Sequence, residues 1–452
     1  MADQLRTGYL GCEGHPKLAT PNIDALAARG VRFSNAYVQS PVCGPSRMCF
    51  YTGRYISSHG ATWNNVPLSV GELTLGDYLR PLGRDVLLVG KSHVTADVAG
   101  LERMGLDPRS ESGRRVAEGG FTVFERDDGI HPDADVKPDY AYNRYLERLG
   151  LGGPNPWHHR ANSTEGPTGE SQSGWLLRNV HRPSRVPAHA SETAYMTDRA
   201  MACIAAQSEP WLVHLSYIKP HWPYVAPAPY NDMYGPDDVL EAVRDPKELE
   251  DPHPVYAAYL QREESQSFSR DEVRRAVIPV YMGMVRQIDD EIGRLMRWLD
   301  ERSLLDETLI VFTSDHGDYL GDHWLGDKEL FHRQSAQIPL IVVDPTDAAD
   351  ATRGSVCDAP VEAIDLVPTF IEWCGGEPPE ERLEGASLLP WIRGDADAER
   401  RPFVVSELDY SWRQQRRDLG LKPSRARAWM LRSERWNYVY YEGFPPQLFD
   451  LR

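Results

Sequence analysis

The sequence predicts an α/β fold: a large, mainly parallel sheet flanked by helices, with a smaller antiparallel sheet at its C-terminal end. Three observations predict it. Short apolar, β-branched runs alternate with stretches of helical periodicity, as strands buried on both faces do. Three of these runs, "DVLLVGKSH", "WLVHLSYIKPH" and "TLIVFTSDHGD", end on pairs of polar side chains. From residue 376 the alternation stops, and "PFVVSELDY", "AWMLRSERWNYVYY" and "QLFDL" read as strands of a small antiparallel sheet.

Near the start, "TPNIDALAARG" predicts a helix, with Thr20 as N-cap, Pro21 in the first turn and Gly30 as the stop, and "VRFSNAYV" after it reads as a strand. Over 271–301, Tyr281, Met284, Val285, Ile288, Ile292, Leu295, Met296 and Leu299 recur at helical spacing, predicting one long helix with a kink at Pro279. Between about 100 and 190 the chain turns charged and Gly/Pro-rich, which predicts long loops over a site. The organisation expected is therefore a catalytic α/β domain over 1–375, carrying the loop-rich insert 100–190, and a smaller subdomain over 376–452. "MADQLR" and "QLFDLR" both read as clipped ends. The sequence shows no internal repeat.

Composition narrows the function. A chain of 452 residues, 41% hydrophobic and 26% charged, can bury a large core. Its formal net charge of −18 argues against a nucleic-acid partner, so an anionic substrate must be drawn by a local cation cluster or a metal. The six cysteines form no CxxC pairs, as expected of reduced thiols in a cytoplasmic setting. No apolar run approaches the roughly 18 residues of a membrane span, and no signal-peptide pattern opens the chain. The expectation is a cytoplasmic protein without membrane contact.

The chemistry gathers at strand ends. The three runs deliver Lys91 and His93, Lys219 and His221, and Asp315 and His316 just past their ends. Parallel sheets bind ligands at the carboxyl ends of their strands. Taken singly, each residue has a plain structural reading, a solvated lysine or a hydrogen-bonded histidine; their coincidence carries the information. "PVCGPSRMCFYTGR" reads as the start of a helix, with Pro45 in the first turn. Cys43 then lies beside unpaired backbone N–H groups, a position that favours an anion or a thiolate. A cysteine nucleophile and a small buried cysteine both remain open at this point.

The segments "TPNIDALAARGVRFSNAYVQSPVCGPSRMCFYTGRY", "VGKSH", "YIKPHWPY", "TSDHGDYLGDHWLGDKELF" and "DLVPTF" occur in the order of a known family. The chain resembles the sulfatases, within the alkaline-phosphatase-like metallohydrolases, over nearly its whole length. CGPSR fits the CxPSR signal by which a maturation enzyme oxidises the cysteine to formylglycine. The resemblance implies that Cys43 is a precursor whose hydrated aldehyde supplies the nucleophile. It implies that Asp3, Gln4, residue 43, Asp315 and His316 hold one divalent cation, with Ca²⁺ expected and Mn²⁺ or Mg²⁺ open. Arg47 would pair with the diol, and Lys91 and Lys328 would neutralise the ester oxygens. His221 would protonate the leaving alcohol with help from Lys328. His93 would then act on the second hydroxyl to expel the product.

The resemblance implies two activities. One is hydrolysis of a small alkyl or aryl sulfate ester. The other is hydrolysis of a phosphonate monoester or phosphodiester with the same diol, since these anions share tetrahedral geometry. Many sulfatases carry two adjacent aspartates near the start, whereas here Asp3 is followed by Gln4, as in choline-sulfatase-like and phosphonate-monoester-hydrolase-like members. "TWNNV" resembles the latter group and assigns Asn64 to substrate binding. The Lys91/His93 pair is the sulfatase arrangement. The partners implied are a small anionic ester and the maturation enzyme; a homo-oligomer is compatible with either activity.

Overall fold

The computed structural model describes residues 1–129, 139–208, 210–395 and 397–452. Fourteen strands are present among them: β1 (Ala2–Asp3), β2 (Val31–Tyr37), β3 (Asp85–Gly90), β4 (Thr122–Arg126), β5 (Ser163–Glu165), β6 (Ser171–Ser173), β7 (Trp211–Pro220), β8 (Ile310–Thr313), β9 (Gln337–Val343), β10 (Ser355–Glu362), β11 (Val404–Asp409), β12 (Arg427–Arg432), β13 (Trp436–Tyr441) and β14 (Gln447–Asp450). One four-stranded sheet has the order β1-β7-β3-β4, all parallel. A second has the order β10-β2-β9-β8, in which β9 runs against both neighbours. A parallel bridge from Ala2 to Ser314 joins the two, so β9 alone opposes the common direction. That direction matters, because β1, β2, β3, β7 and β8 all end at one edge.

The apolar runs divide between two cores. Leu87 and Val89 of β3 face a cluster formed with helices Pro21–Arg29, Glu192–Ala205 and Asp271–Asp300. Val86 and Leu88 face the opposite cluster, with Met48, Leu75, Leu366 and Val367. A strand covered on both sides needs apolar residues at every position, which is why it reads as a continuous run rather than an alternation. The predicted helix over 21–29 is present, its first turn held by Asp289, which accepts from the backbone N–H of Asn22 (3.0 Å) and Ile23 (2.8 Å). Thr20 makes no capping bond there; its hydroxyl instead donates to Asp24. The helix Asp271–Asp300 continues through Pro279 without interruption. Its buried face includes Tyr281, Met284, Val285 and Ile288, each contributing about 1.5–3 kcal/mol by burial.

The segment 100–190 is more ordered than its texture predicts, though 130–138 lie outside the described residues. It contributes β4, the helices Glu111–Ala117 and Ala141–Arg148, and the β5–β6 hairpin. β4 was not legible because it is an edge strand with a single fully buried side chain, Glu125, and therefore no apolar run. The C-terminal sheet is antiparallel, order β11-β12-β13-β14. It buries alternate residues such as Ala428, Met430, Val439 and Tyr441. These pack on Tyr37, Val42, Tyr259 and Phe331, against the segment that leads from β2 to Cys43. Among the described residues no helix is long and apolar enough to cross a membrane.

Candidate active site

Cys43 opens the helix Cys43–Thr52, every residue of which is buried. Gly53 ends it in the left-handed conformation (φ 69°), its N–H bonding to the carbonyl of Cys49 (2.9 Å). Val42, the N-cap, offers no side-chain acceptor to the first turn. Asn64 supplies one from elsewhere, its Oδ1 accepting from Gly44 N–H at 2.7 Å. Glycine at 44 lets Asn64 approach this closely, since a Cβ there would lie 2.7 Å from that oxygen and displace it. Ser46 Oγ donates to the Asp315 carbonyl at 2.6 Å, tying the helix to the segment after β8.

An imidazole, an ammonium and a carboxylate surround Cys43 Sγ. His316 Nε2 lies at 3.0 Å, Lys328 Nζ at 3.2 Å and Asp3 Oδ1 at 3.9 Å. Asp3, Cys43, Asp315 and His316 each offer a donor atom within 4.8 Å of the others, and all four are buried. Their orientation is set by a surrounding ring. Arg47, fully buried, donates to Asp315 Oδ2 (2.8 Å), Asp3 Oδ2 (3.4 Å), Ser216 Oγ (2.9 Å) and the Lys91 carbonyl (2.8 Å). Lys91 is ion-paired with Asp3 Oδ2. Asp3 thus commits one oxygen to cations and leaves the other facing Sγ. Asp315 does the same, its Oδ1 accepting from Gln4 N–H at 3.0 Å while lying 3.8 Å from His316 Nε2. His316 Nδ1 donates to the Gly317 carbonyl (2.9 Å), which turns the Nε2 side of the ring to the cluster.

Gln4 has a left-handed backbone (φ 64°), which breaks strand alternation immediately after Asp3. Its amide nitrogen donates to Asp318 (2.6 Å) and Asp327 (3.2 Å), so its Oε1 must point the other way, where it accepts from Lys328 at 3.0 Å. Lys328 Nζ also lies 3.0 Å from His221 Nε2, and His221 Nδ1 bonds the Trp222 carbonyl (2.7 Å). Asp327 is held in turn by Arg262 (3.1 Å) and Trp222 Nε1 (3.2 Å).

These charges tune one another. Burial alone would push the Cys43 thiol up, but Lys328, Lys91 and His316 together hold it well below its ordinary value. Against burial, Lys91 and other cations hold the Asp3 carboxyl well below the usual range. His316 is raised to about 9 by Asp315 and the Cys43 sulfur, although burial opposes it. Burial and Lys328 lower His221, so the proton between them rests on the lysine.

Of the residues read from the sequence, Asp3, Gln4, Cys43, Arg47, Lys91, His221, Asp315, His316 and Lys328 converge, and Asn64 meets them through Gly44. His93 is not joined to the cluster by any hydrogen bond or ion pair among the described residues. Its backbone N–H donates to Asp128 (3.1 Å), its φ is 56°, and its Nδ1 is buried without a hydrogen-bond partner. Lys219, expected just past the strand, lies within β7, and its side chain turns away to the Pro223 carbonyl (2.8 Å). Cys49 packs beside Ile56 and Ile364 with His59 3.3 Å away. His323 faces Glu248 (3.1 Å), and Trp157 donates to Asp127 (2.8 Å). Sequence reasoning missed Ser216, Asp327 and Arg262; the adjacency of Asp327 to Lys328 was the available signal.

Known proteins resemble this chain over most of its length. The sulfatase family model matches residues 1–376. The multifunctional alkaline phosphatase superfamily protein PehA of Trinickia caryophylli is 31% identical over 483 residues, covering 100% of this chain and 88% of its own length. The choline-sulfatase of Rhizobium meliloti is 28% identical over 461 residues, covering 100% of this chain and 79% of its own. Among solved structures, the phosphonate monoester hydrolase of Silicibacter pomeroyi superposes with a TM-score of 0.86 at 29% identity, over 100% of this chain and 88% of that one. A cysteine opening a buried helix at the shared edge of a mainly parallel sheet, ringed by strand-end acids, imidazoles and lysines, on a chain matched from residue 1 to residue 376, makes this protein a hydrolase of the sulfatase family.

Proposed function

We propose that the protein hydrolyses a small alkyl or aryl sulfate ester at residue 43, after a maturation enzyme has oxidised Cys43 to formylglycine. The observation that carries this reading is the convergence of His316 and Lys328 on one buried sulfur at a helix N-terminus, within reach of the acids Asp3 and Asp315. Sγ stands where the oxygens of the modified side chain would be. The donor set suits one divalent cation, held by Asp3, Gln4, residue 43, Asp315 and His316; mainly oxygen donors favour Ca²⁺, and the histidine admits Mn²⁺ or Mg²⁺. When present, the modification supplies a diol hydroxyl as nucleophile and the cation supplies positive charge beside the ester oxygens.

The chain's own residues do the rest. Arg47 and Lys91 fix the two carboxylates by one oxygen each, so the other oxygens stay aimed inward. Lys328 presents a positive charge 3.2 Å from the nucleophile's position, where charge develops on the ester oxygens. His221 accepts from Lys328, and the pair holds a proton that it can give to the departing alcohol oxygen. His93, held at its backbone by Asp128, keeps an unpartnered ring nitrogen for the step after the alcohol has left.

A second reading, hydrolysis of a phosphonate monoester or phosphodiester in the same site, is supported by Asn64 on the Gly44 N–H and by the likeness to a phosphonate monoester hydrolase structure. Parallel kinetics on matched aryl sulfate and aryl phosphonate esters, with protein co-produced with a maturation enzyme, decide between them. A higher kcat/KM for the sulfate supports the first reading, and the reverse order supports the second. Mass spectrometry of the peptide holding residue 43 checks the modification that both require.

A further inference from the structure

Lys328 projects from a turn with left-handed backbone on both sides. Asp327 has φ 63°, Glu329 has φ 78° and Leu330 has φ 49°. None of the three is glycine, so these conformations persist only because the surrounding structure holds them. Much of that hold comes from one side chain. Arg262 is buried between the helices Pro254–Leu260 and Glu263–Phe268. Its Nη2 donates to Asp327 Oδ2 (3.1 Å) and its Nη1 to Glu329 Oε1 (3.1 Å). A single planar guanidinium thus grips both sequence neighbours of Lys328.

Lys328 itself reaches the other way, to Gln4 Oε1 (3.0 Å), Cys43 Sγ (3.2 Å) and His221 Nε2 (3.0 Å). It has a competing partner close by, since its Nζ lies 3.8 Å from Asp327 Oδ1. Both groups are buried, where opposite charges attract far more strongly than in water. The two carboxylates of the turn differ in their remaining support. Glu329 also accepts from Arg413 and from Tyr259 Oη (2.6 Å). Asp327 otherwise has neutral side-chain donors, Gln4 Nε2 (3.2 Å) and Trp222 Nε1 (3.2 Å). Against burial, Lys328 and then Arg262 hold the Asp327 carboxyl well below its ordinary range, so it is charged. Without Arg262, Lys328 becomes its sole ion-pair partner among the described residues.

We propose that Arg262 is a positioning residue: by neutralising Asp327 and fixing the turn from behind, it keeps Lys328 aimed at residue 43 and His221 rather than paired with its own neighbour. This inference deepens the proposed function and rests on Lys328 acting at the ester, whichever ester that is. It also explains why the turn needs an arginine, since a lysine there could not hold two carboxylates in one plane.

The test measures kcat/KM of the full chain, co-produced with a maturation enzyme, on two esters of the class the wild type prefers. One releases nitrophenol and the other a simple alcohol. Arg262→Gln is expected to lose at least about tenfold more on the alcohol ester, because the proton shared by Lys328 and His221 matters most to a poor leaving group. Adding Asp327→Asn removes the competing charge and should restore the alcohol-ester rate by at least about tenfold. If Arg262→Gln alone does not fold, the double variant is compared with Asp327→Asn, and losing Arg262 there should cost less than about threefold. Equal losses on the two esters, a double variant no better than Arg262→Gln, or a tenfold cost in the Asp327→Asn background would each overturn the proposal. Lys328→Ala is measured beside them. Wild-type activity in it would take Lys328 out of the reaction and this inference with it, whereas an impaired Lys328→Ala beside an unimpaired Arg262→Gln would refute the positioning role alone.

Discussion

Two buried ionic clusters, one around Arg401 and one around Cys43, differ in where their hydrogen bonds go. Glu362 and Asp365 meet Arg401 beneath the C-terminal sheet. Every carboxylate oxygen there is engaged: Glu362 accepts from Val405 N (2.6 Å), Tyr55 Oη (2.7 Å) and Arg401, and Asp365 from Glu362 N (2.7 Å), Ala386 N (2.9 Å) and Arg401 (2.5 Å). Around Cys43 the supporting bonds are just as complete at the periphery, yet His316, Lys328 and Asp3 leave atoms aimed at one point. Both clusters hold displaced pKa values, so displacement alone does not mark a catalytic site. Convergence on a single nucleophilic atom does.

The strongest way to break this contrast is at that atom. Cys43→Ala is expected to fold normally and lose activity by a factor on the order of 10⁴ or more. Cys43→Ser should fail comparably, because serine offers one hydroxyl where a diol offers two. A serine variant with wild-type turnover would remove the proposed chemistry while leaving the fold intact.

Next in size is the acid that Arg47 and Gln4 orient. Asp315→Ala should lower divalent-metal content and activity in parallel, with melting reduced only by the lost ligand-binding contribution. Full metal content in that variant would take Asp315 out of the binding set.

The two histidines fail differently. His221→Ala should slow esters with poor leaving groups most, since an activated phenol departs without a proton. His93→Ala should release one equivalent of alcohol rapidly and then stall. Burst kinetics on both variants check this; a burst from His221→Ala alone would reverse the two roles.

The smallest effects belong to the structural cluster. Arg401→Ala should leave kcat unchanged and cost about 1–3 kcal/mol in denaturant unfolding, because it strips a donor from two carboxylates. Burial, reinforced by Asp365 and opposed by Arg401, pushes the Glu362 carboxyl up to about 7. The folded form therefore keeps a proton that the unfolded chain has lost, and the stability this contributes disappears as pH rises from about 4.5 to about 7. Glu362→Gln should flatten that part of the stability profile; an unchanged slope would assign it to other groups.

Much of the site was legible because parallel strands buried on both faces are continuous apolar runs, and the residues just past such a run lie at the sheet's binding edge. Lys91, His221, Asp315 and His316 were found that way. Lys219 was found too, and only side-chain packing showed that it turns to Pro223. Asn64 and Gln4 sit in irregular backbone with no periodicity, so their acceptor and relay roles could not be read from pattern. β4 was hidden by its exposed edge position, and the order within 100–190 with it.

By itself the sequence determined the strands that are buried on both faces, the long helix over 271–300, and that Cys43 begins a helix, because these depend on short-range sterics and on the spacing of apolar residues. Only the tertiary structure decided that Gln4 N–H would meet Asp315 across 311 positions, and that Lys91, Lys328 and His316 would together overcome the effect of burial on one thiol. Those outcomes depend on which strands pair across the sheet, and therefore on complementarity between surfaces far apart in the chain, which no local pattern records.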